Sequence, residues 1–254
     1  MKPTNYLPAL ALLLSVSLSG QINPIQLGIQ LSPTFNWLST DDNLIESDGT
    51  NLGLKLGLVA EYYFQENYSI HTGINFHFGA GGALRYDERY NLVDIWNEPL
   101  DDVLGTPPTE AQLTGGSTYD YRIQFVEIPL GLTLRTREFG YVRYFVRPAF
   151  TLGVVAGSRG SIERASYIDE GENFDIGSEV NALNLSWGIG GGIEYSISTQ
   201  TSLVAGLGFQ SGFLDLTTDN DTRLQRSDRP NVEPAEDDSS ARQRSVVIML
   251  GVLF

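Results

Sequence analysis

The sequence predicts an all-β fold, an eight-stranded antiparallel up-and-down transmembrane β-barrel, and three observations carry that expectation. Eight runs of about a dozen residues alternate apolar with polar or small side chains. The links between the runs alternate strictly between short and long. Beyond the N-terminal leader no stretch approaches the roughly 18 uninterrupted apolar residues of a membrane-crossing helix, so strands are left to do the crossing.

The elements follow in chain order. Residues 1–20 read as a secretory signal peptide: Lys2, then an apolar stretch from Leu7 to Leu18, then small residues at Ser17, Ser19 and Gly20, with cleavage expected between Ser19 and Gln21. Residues 21–254 form one barrel domain, and the eight runs are 26–38, 51–64, 67–82, 120–136, 139–156, 181–197, 200–216 and 242–254. Short links fall at Gln65–Glu66, Arg137–Glu138 and Ser198–Thr199. In barrels of this class short turns face the periplasm, which puts both termini there and the long links outside.

Phase within the runs assigns the faces. Along the second run Leu52, Leu54, Leu56, Leu58, Ala60, Tyr62 and Phe64 point one way, while Gly53, Lys55, Gly57, Val59, Glu61 and Tyr63 point the other. A charge facing lipid near the midplane costs about 2–4 kcal/mol. Lys55, Glu61, Glu127, Arg135, Arg143, Arg147 and Glu194 therefore belong to the lumen, opposite rows such as Ile128, Leu130, Leu132 and Val146, Phe150, Leu152. Gly188, Gly190, Gly192, Gly206, Gly208 and Gly212 leave room for these side chains. Four basic and three acidic groups in so narrow a cylinder predict a salt-bridged plug. Aromatic girdles are expected at Tyr62, Phe64, Tyr68, Tyr144, Tyr195 and Phe254 on the periplasmic rim, and at Phe35, Trp37, Phe76, Phe78, Trp187 and Phe213 on the outer one.

Composition narrows the function classes. The chain has no cysteine, which removes disulfides, thiolate nucleophiles and zinc-thiolate sites. Its formal net charge of −15 argues against nucleic acid as a partner. Of its 31 acidic residues, 24 lie in the four long links, beside only seven basic ones. His71 and His77 share the lumenal face but stand about 20 Å apart along the run, too far to share one metal ion, and read as hydrogen-bonding residues. Asp219-Asn220-Asp221 and Glu236-Asp237-Asp238 lack the spacing of a dedicated calcium loop. Gly188–Gly192 lies inside a strand and opens no helix, so it is no phosphate cradle. No cofactor, metal or catalytic residue is assigned.

Three segments resemble the Bacteroidetes outer-membrane β-barrel family often described as PorT-like. Phe125-Val126-Glu127-Ile128-Pro129-Leu130-Gly131-Leu132 is similar to its aromatic-x-Glu-Ile-Pro-Leu signature. Val146-Arg147-Pro148-Ala149-Phe150-Thr151-Leu152-Gly153 is similar to the strand after it, and Gly188-Ile189-Gly190-Gly191-Gly192-Ile193-Glu194 to its glycine-rich sixth strand. The end, Val246 to Phe254, resembles a last strand that the barrel-assembly machinery reads by its terminal aromatic. The resemblance implies outer-membrane lipid and that machinery as partners, and for a few members a link to secretion or envelope proteins. Pro129, which has no amide hydrogen, is expected to break the ladder and mark a bulge beside Glu127.

The resulting expectation is a monomeric, non-enzymatic outer-membrane barrel whose acidic loops meet a surface or envelope partner. A lipid-modifying enzyme and a narrow pore are the alternatives from other classes. A soluble exported barrel of the lipocalin kind is the rival fold, and the girdles, Phe254 and the link rhythm weigh against it.

Overall fold

The computed structural model describes residues 24–93, 115–163, 173–218, 223–226, 228–229, 231–233, 235–236 and 239–254. Eight strands form the barrel: β1 (Ile25–Thr40), β2 (Asn51–Gln65), β3 (Tyr68–Tyr86), β4 (Thr118–Arg135), β5 (Val142–Glu163), β6 (Leu183–Ser196), β7 (Ser202–Gly212) and β8 (Ala241–Leu253). Each pairs antiparallel with the next, and β8 returns to β1, so the ring is closed. Closure satisfies the backbone without water and leaves no free edge, the condition for strands in hydrocarbon. The all-β antiparallel fold read from the sequence is the fold observed. The signal-peptide segment lies outside the described residues.

The period-two pattern settles into faces as the charges require. On β2, Lys55, Val59 and Glu61 are buried inside, whereas Leu52 is 75% and Leu58 is 64% exposed to the exterior. The same outward rows continue through Ile128, Leu130, Leu132 and Leu134 on β4 and Tyr144, Val146, Phe150 and Leu152 on β5. In water such a skin would be an aggregation surface; in a bilayer it is the solvent-matched face. Aromatic rings crowd the ends of these rows. Phe64 stacks near Tyr68 at 6.3 Å at the short-turn end; Trp37 and Trp187 each meet Phe209, at 6.3 and 6.1 Å, toward the long-loop end.

Prolines mark where the ladders thin, Pro148 opposite the gap at Leu132 and Thr133 among them. Pro129 faces inward and stays in register with Thr151 of β5. Its missing N–H falls on the β3 side, where Gly73 and Ile74 drop out of the β3–β4 pairing while the register on either side is unchanged. The ladder is thus interrupted as expected, but there is no bulge at Pro129. Pro33 does the same at the closing seam, where Leu31, Ser32 and Pro33 of β1 have no ladder partner on β8 and the register is again continuous across the gap. Beyond the gap the last residue ties the ring: Phe254 donates to the Leu27 carbonyl at 2.7 Å and Leu27 donates back at 3.1 Å.

The register does shift higher up, between His77 and Ala80 on β3 and between Gln124 and Phe125 where β4 meets β5. Gly81 has φ +106° there, and a Cβ on it would stand 1.9 Å from the Tyr121 carbonyl oxygen, so only glycine fits. Above these bulges β3, β4 and β5, of 19, 18 and 22 residues, outrun the 9–11 or so that a tilted membrane strand needs. Their inward side chains turn apolar. Leu38, Leu84, Tyr119, Tyr121, Ile123 and Ile162 pack with Phe174, Ile176, Val180 and Leu216 from the loops. Burying each such side chain is worth about 1.5–3 kcal/mol, enough to make this a second core at the long-loop end. The lumen is therefore not polar along its whole length.

The long links carry structure of their own. Ile45–Ser47 extends the sheet beside β3, and Phe174–Asp175 pairs with β5. Tyr90–Val93, Arg223–Arg226 and Ala235–Glu236 make a separate three-stranded antiparallel sheet that joins the second and fourth long links. The run expected over 200–216 ends as β7 at Gly212, and residues beyond it, such as Leu216, turn inward to the apolar core.

Candidate functional site

The lumen gathers the buried charges, and it is built in storeys. Glu61 is the most connected of them: its side chain is wholly buried and both oxygens are taken. Oε1 accepts from Arg147 Nη2 at 2.8 Å, and Oε2 accepts from Ser69 Oγ at 2.8 Å and from Arg135 Nη2. Arg135 turns its Nε to Glu194, with both carboxylate oxygens at 2.8–2.9 Å, and its Nη1 to Ser69 Oγ at 2.6 Å. Arg147 donates from Nε to Thr133 Oγ1 at 3.0 Å. The guanidiniums lie over aromatic faces, Arg135 4.9 Å from the Tyr63 ring centre and Arg147 5.1 Å from that of Phe145. His71 Nδ1 stands 3.5 Å from Glu61 Oε1. β2, β3, β4, β5 and β6 each contribute one or more of these side chains because alternation aims every second residue at the axis.

A second storey surrounds Glu127. Lys55 Nζ donates to Glu127 Oε2 at 2.7 Å and to Gln210 Oε1 at 2.5 Å, and Gln210 Nε2 donates on to Ser186 Oγ at 2.7 Å. His77 Nδ1 is 3.1 Å from Glu127 Oε1 and its Nε2 is 3.2 Å from Thr34 Oγ1. A carboxylate only accepts, which assigns the proton to Nδ1 and leaves Nε2 to accept from the Thr34 hydroxyl. Thr34 Oγ1 in turn accepts from Asn36 Nδ2 at 2.9 Å. A cavity of about 100 Å³ separates the storeys, bounded by Gln30, Ser32, Asn75, Lys55, Glu127 and Arg147.

Charge balance explains the partition. Arg135 and Arg147 face Glu61 and Glu194, and Lys55 faces Glu127, so each storey is formally neutral when its histidine is neutral. Breaking one such pair strands a partner where water cannot reach it. The exception to the expected set is Arg143. It lies at the short-turn end of β5, partly exposed, and donates to Glu138 Oε2 at 2.9 Å. Its side chain follows its phase and sits part-buried at the short-turn mouth of the lumen, opposite Glu194 in the ladder. The fully paired interior thus holds three basic and three acidic residues, with Arg143 at its mouth.

The glycines were expected to make room for arginine. Instead Met249 of β8 fills much of it: a Cβ on Gly190 would meet its Cε at 2.8 Å, and one on Gly206 would meet it at 3.0 Å. Ser69 shares the lumenal phase of His71 and His77 in the sequence; Thr34, Asn36, Gln210 and Ser186 carry no sequence signal beyond the lumenal phase and a polar side chain. Among the described residues no group of three or more His, Asp or Glu side chains could hold a metal ion. Residues 219–221, 237 and 238 of the acidic runs lie outside the described residues.

Thr34, His77 and Glu127 reproduce the hydroxyl–imidazole–carboxylate order of a nucleophilic triad. Thr34 and His77 are each 1% exposed, and neither lines the lumenal cavity. The hydroxyl has no room beside it for an acyl or peptide carbonyl, so here the arrangement links β1, β3 and β4.

Comparison with known proteins follows the architecture. None of the curated proteins matches the chain in sequence. Among solved structures, Neisserial surface protein A is 11% identical with a TM-score of 0.42, over 89% of this chain and 95% of that one. The attachment invasion locus protein Ail of Yersinia pestis is 10% identical with a TM-score of 0.35, over 91% and 97%. The outer membrane protease OmpT of Escherichia coli is 9% identical with a TM-score of 0.40, over 94% and 99%. A family profile described as outer membrane protein beta-barrel domain matches residues 17–218. That match takes in seven of the eight barrel strands and the residues of both lumenal storeys, and the chain belongs to the outer membrane protein beta-barrel domain family.

Proposed function

We propose that this outer-membrane protein is a closed, non-enzymatic barrel that serves as a rigid membrane mount for its long loops. The observation that carries the reading is the double seal: two neutral, hydrogen-bonded charge storeys below an apolar core fed by β1, β3, β4, β5 and the loops. A pore needs a continuous wet path, and an enzyme needs space at its nucleophile; Leu38, Tyr119, Ile123 and Phe174, each at most 2% exposed, fill the one, and Thr34 lacks the other.

The long-loop end faces outside in this reading and both termini face the periplasm. Twenty-four acidic residues then project from the cell, partly organised by the three-stranded sheet joining the second and fourth links. A polar or cationic surface partner, or an envelope or secretion protein, fits such a crown. The Phe125–Leu132 segment supports placing the protein with the PorT-like barrels of Bacteroidetes within its family. Planar-bilayer recording tests the seal: the protein should show little or no conductance. Steady channels of hundreds of picosiemens, on the order of a water-filled lumen, would refute it.

A further inference from the structure

Arginines stand on the barrel wall where the apolar skin ends. Arg122 on β4 and Arg159 on β5 are directly opposite one another in the ladder, and both point outward and are exposed. Like charges facing each other across strands destabilise a sheet unless something neutralises them. Arg122 donates from Nε to Asp120 Oδ2 at 2.9 Å, and among the described residues its terminal amino groups make no further hydrogen bond. Arg159 makes no side-chain hydrogen bond or ion pair among the described residues. The register shift at Gln124 and the small Gly79 and Gly157 hollow the wall beside them into a depression of about 500 Å³, which Ser158, Asn173 and Asp175 also line. Asp175 stands opposite Arg159 in the ladder on its other side and lines the same depression, with its Oδ1 accepting from Gly177 N–H at 3.0 Å.

Height on the wall identifies what reaches this depression. Arg122 continues the lipid-facing row Ile128, Val126, Gln124, four residues past Val126. That is roughly 13 Å along the strand and about 9–10 Å along the membrane normal at the usual tilt. It places the guanidiniums beside headgroups, not among acyl chains or in bulk water. On the far side of the ring, Arg242 and Arg244 of β8 occupy the same outward position, two to four residues beyond Val246, with Arg244 opposite Trp37. At this level each arginine has a carboxylate neighbour, Asp120 beside Arg122 and Asp175 opposite Arg159.

We infer that Arg122 and Arg159 form a binding site for a phosphate group of an outer-leaflet glycolipid. Two planar guanidinium forks on adjacent strands, lining one depression, suit a tetrahedral dianion. The inference rests on the outward orientation of the long loops proposed above, and the experiment separates the two.

Wild type, Arg159→Gln and Arg122→Gln/Arg159→Gln are placed in vesicles containing bisphosphorylated or dephosphorylated lipid A. Retained lipid is read by native mass spectrometry, and stability by the midpoint of the heat-induced gel shift. Wild type should retain the phosphorylated lipid at least tenfold better than the double variant and lose the preference with the dephosphorylated lipid. Arg159→Gln, which breaks no contact of the described residues, should lose most of the effect while folding normally; Arg159→Lys should keep part of it. Arg226→Gln in the loop sheet should behave as wild type. Equal retention by wild type and double variant overturns the site. An equal upward shift with inorganic phosphate alone overturns the lipid in favour of a free anion. Ser178→Cys in this cysteine-free chain reports orientation independently: labelling on intact cells by an impermeant maleimide supports it, and absence of labelling overturns the outer-leaflet assignment even where vesicles show phosphate binding.

Discussion

Replacing Glu61 by glutamine should be the most damaging single isosteric change in the barrel. The amide keeps the shape but removes the charge that Arg147 and Arg135 both address, and one of its two polar atoms becomes a donor facing donors. Arg135 retains both oxygens of Glu194, so the stranded cation is Arg147, left with Thr133 Oγ1 and the face of Phe145. Removing one partner of a buried pair costs about 3–5 kcal/mol. Urea titration of the protein folded in lipid vesicles, followed by the gel-mobility difference between folded and unfolded forms, reads that loss directly. The double variant Glu61→Gln/Arg147→Met restores neutrality and should be more stable than the sum of the single losses by about 1–3 kcal/mol. A Glu61→Gln loss below about 1 kcal/mol, or simple additivity in the double variant, would show that the storey is solvated and not sealed.

Three further changes probe other parts of the design. Tyr119→Ala, at a fully buried ring edge-on to Tyr86 at 5.1 Å, should cost about 3–5 kcal/mol by the same titration, yet leave conductance near zero because the charge storeys still close the lumen. Deleting Phe254 removes both hydrogen bonds to Leu27 and should sharply lower the outer-membrane yield seen on immunoblots, while deleting Glu236 to Asp238 should not; equal yields would displace the terminal strand from its assembly role. Pro33→Val supplies the N–H missing from the β1–β8 seam and should stabilise the barrel by about 0.5–1.5 kcal/mol; a lower urea midpoint would mean that the seam is held open by something other than the proline.

What could be read from the sequence, and what could not, divides along a physical line. Lipid punishes a misplaced charge on one face only, so Lys55, Glu61, Glu127, Arg135, Arg147 and Glu194 declare the inward phase, and with it the strands, in the sequence itself. Phase says which way a side chain points but not how far along the axis it sits or whom it meets. Arg143 has the same phase as Arg147, yet four residues of rise carry it to the rim and to Glu138. The three carboxylates could have been shared among four cations in several ways; shear between strands, which no single run reveals, chose Glu61 for Arg135 and Arg147, and Glu127 for Lys55.

The upper core was hidden for a related reason. Tyr119, Tyr121, Ile123 and Phe125 occupy the same inward phase as Glu127, and a lumen assumed to be polar gave no cause to read their apolar character as packing. The signal was present in strand length: an inward face that changes from charged to aromatic partway along an 18-residue strand marks the level where the barrel leaves the membrane and begins to fold like a water-soluble domain. There the outward face changes too, from Val126 to Gln124 to Arg122. The two faces exchange polarity at one height because the surroundings exchange polarity there, hydrocarbon giving way to headgroups outside while the lumen loses the charges that only mutual pairing could sustain. The boundary of the membrane is thus written twice along β4, once on each face, and the arginines proposed to meet phosphate stand at that written level.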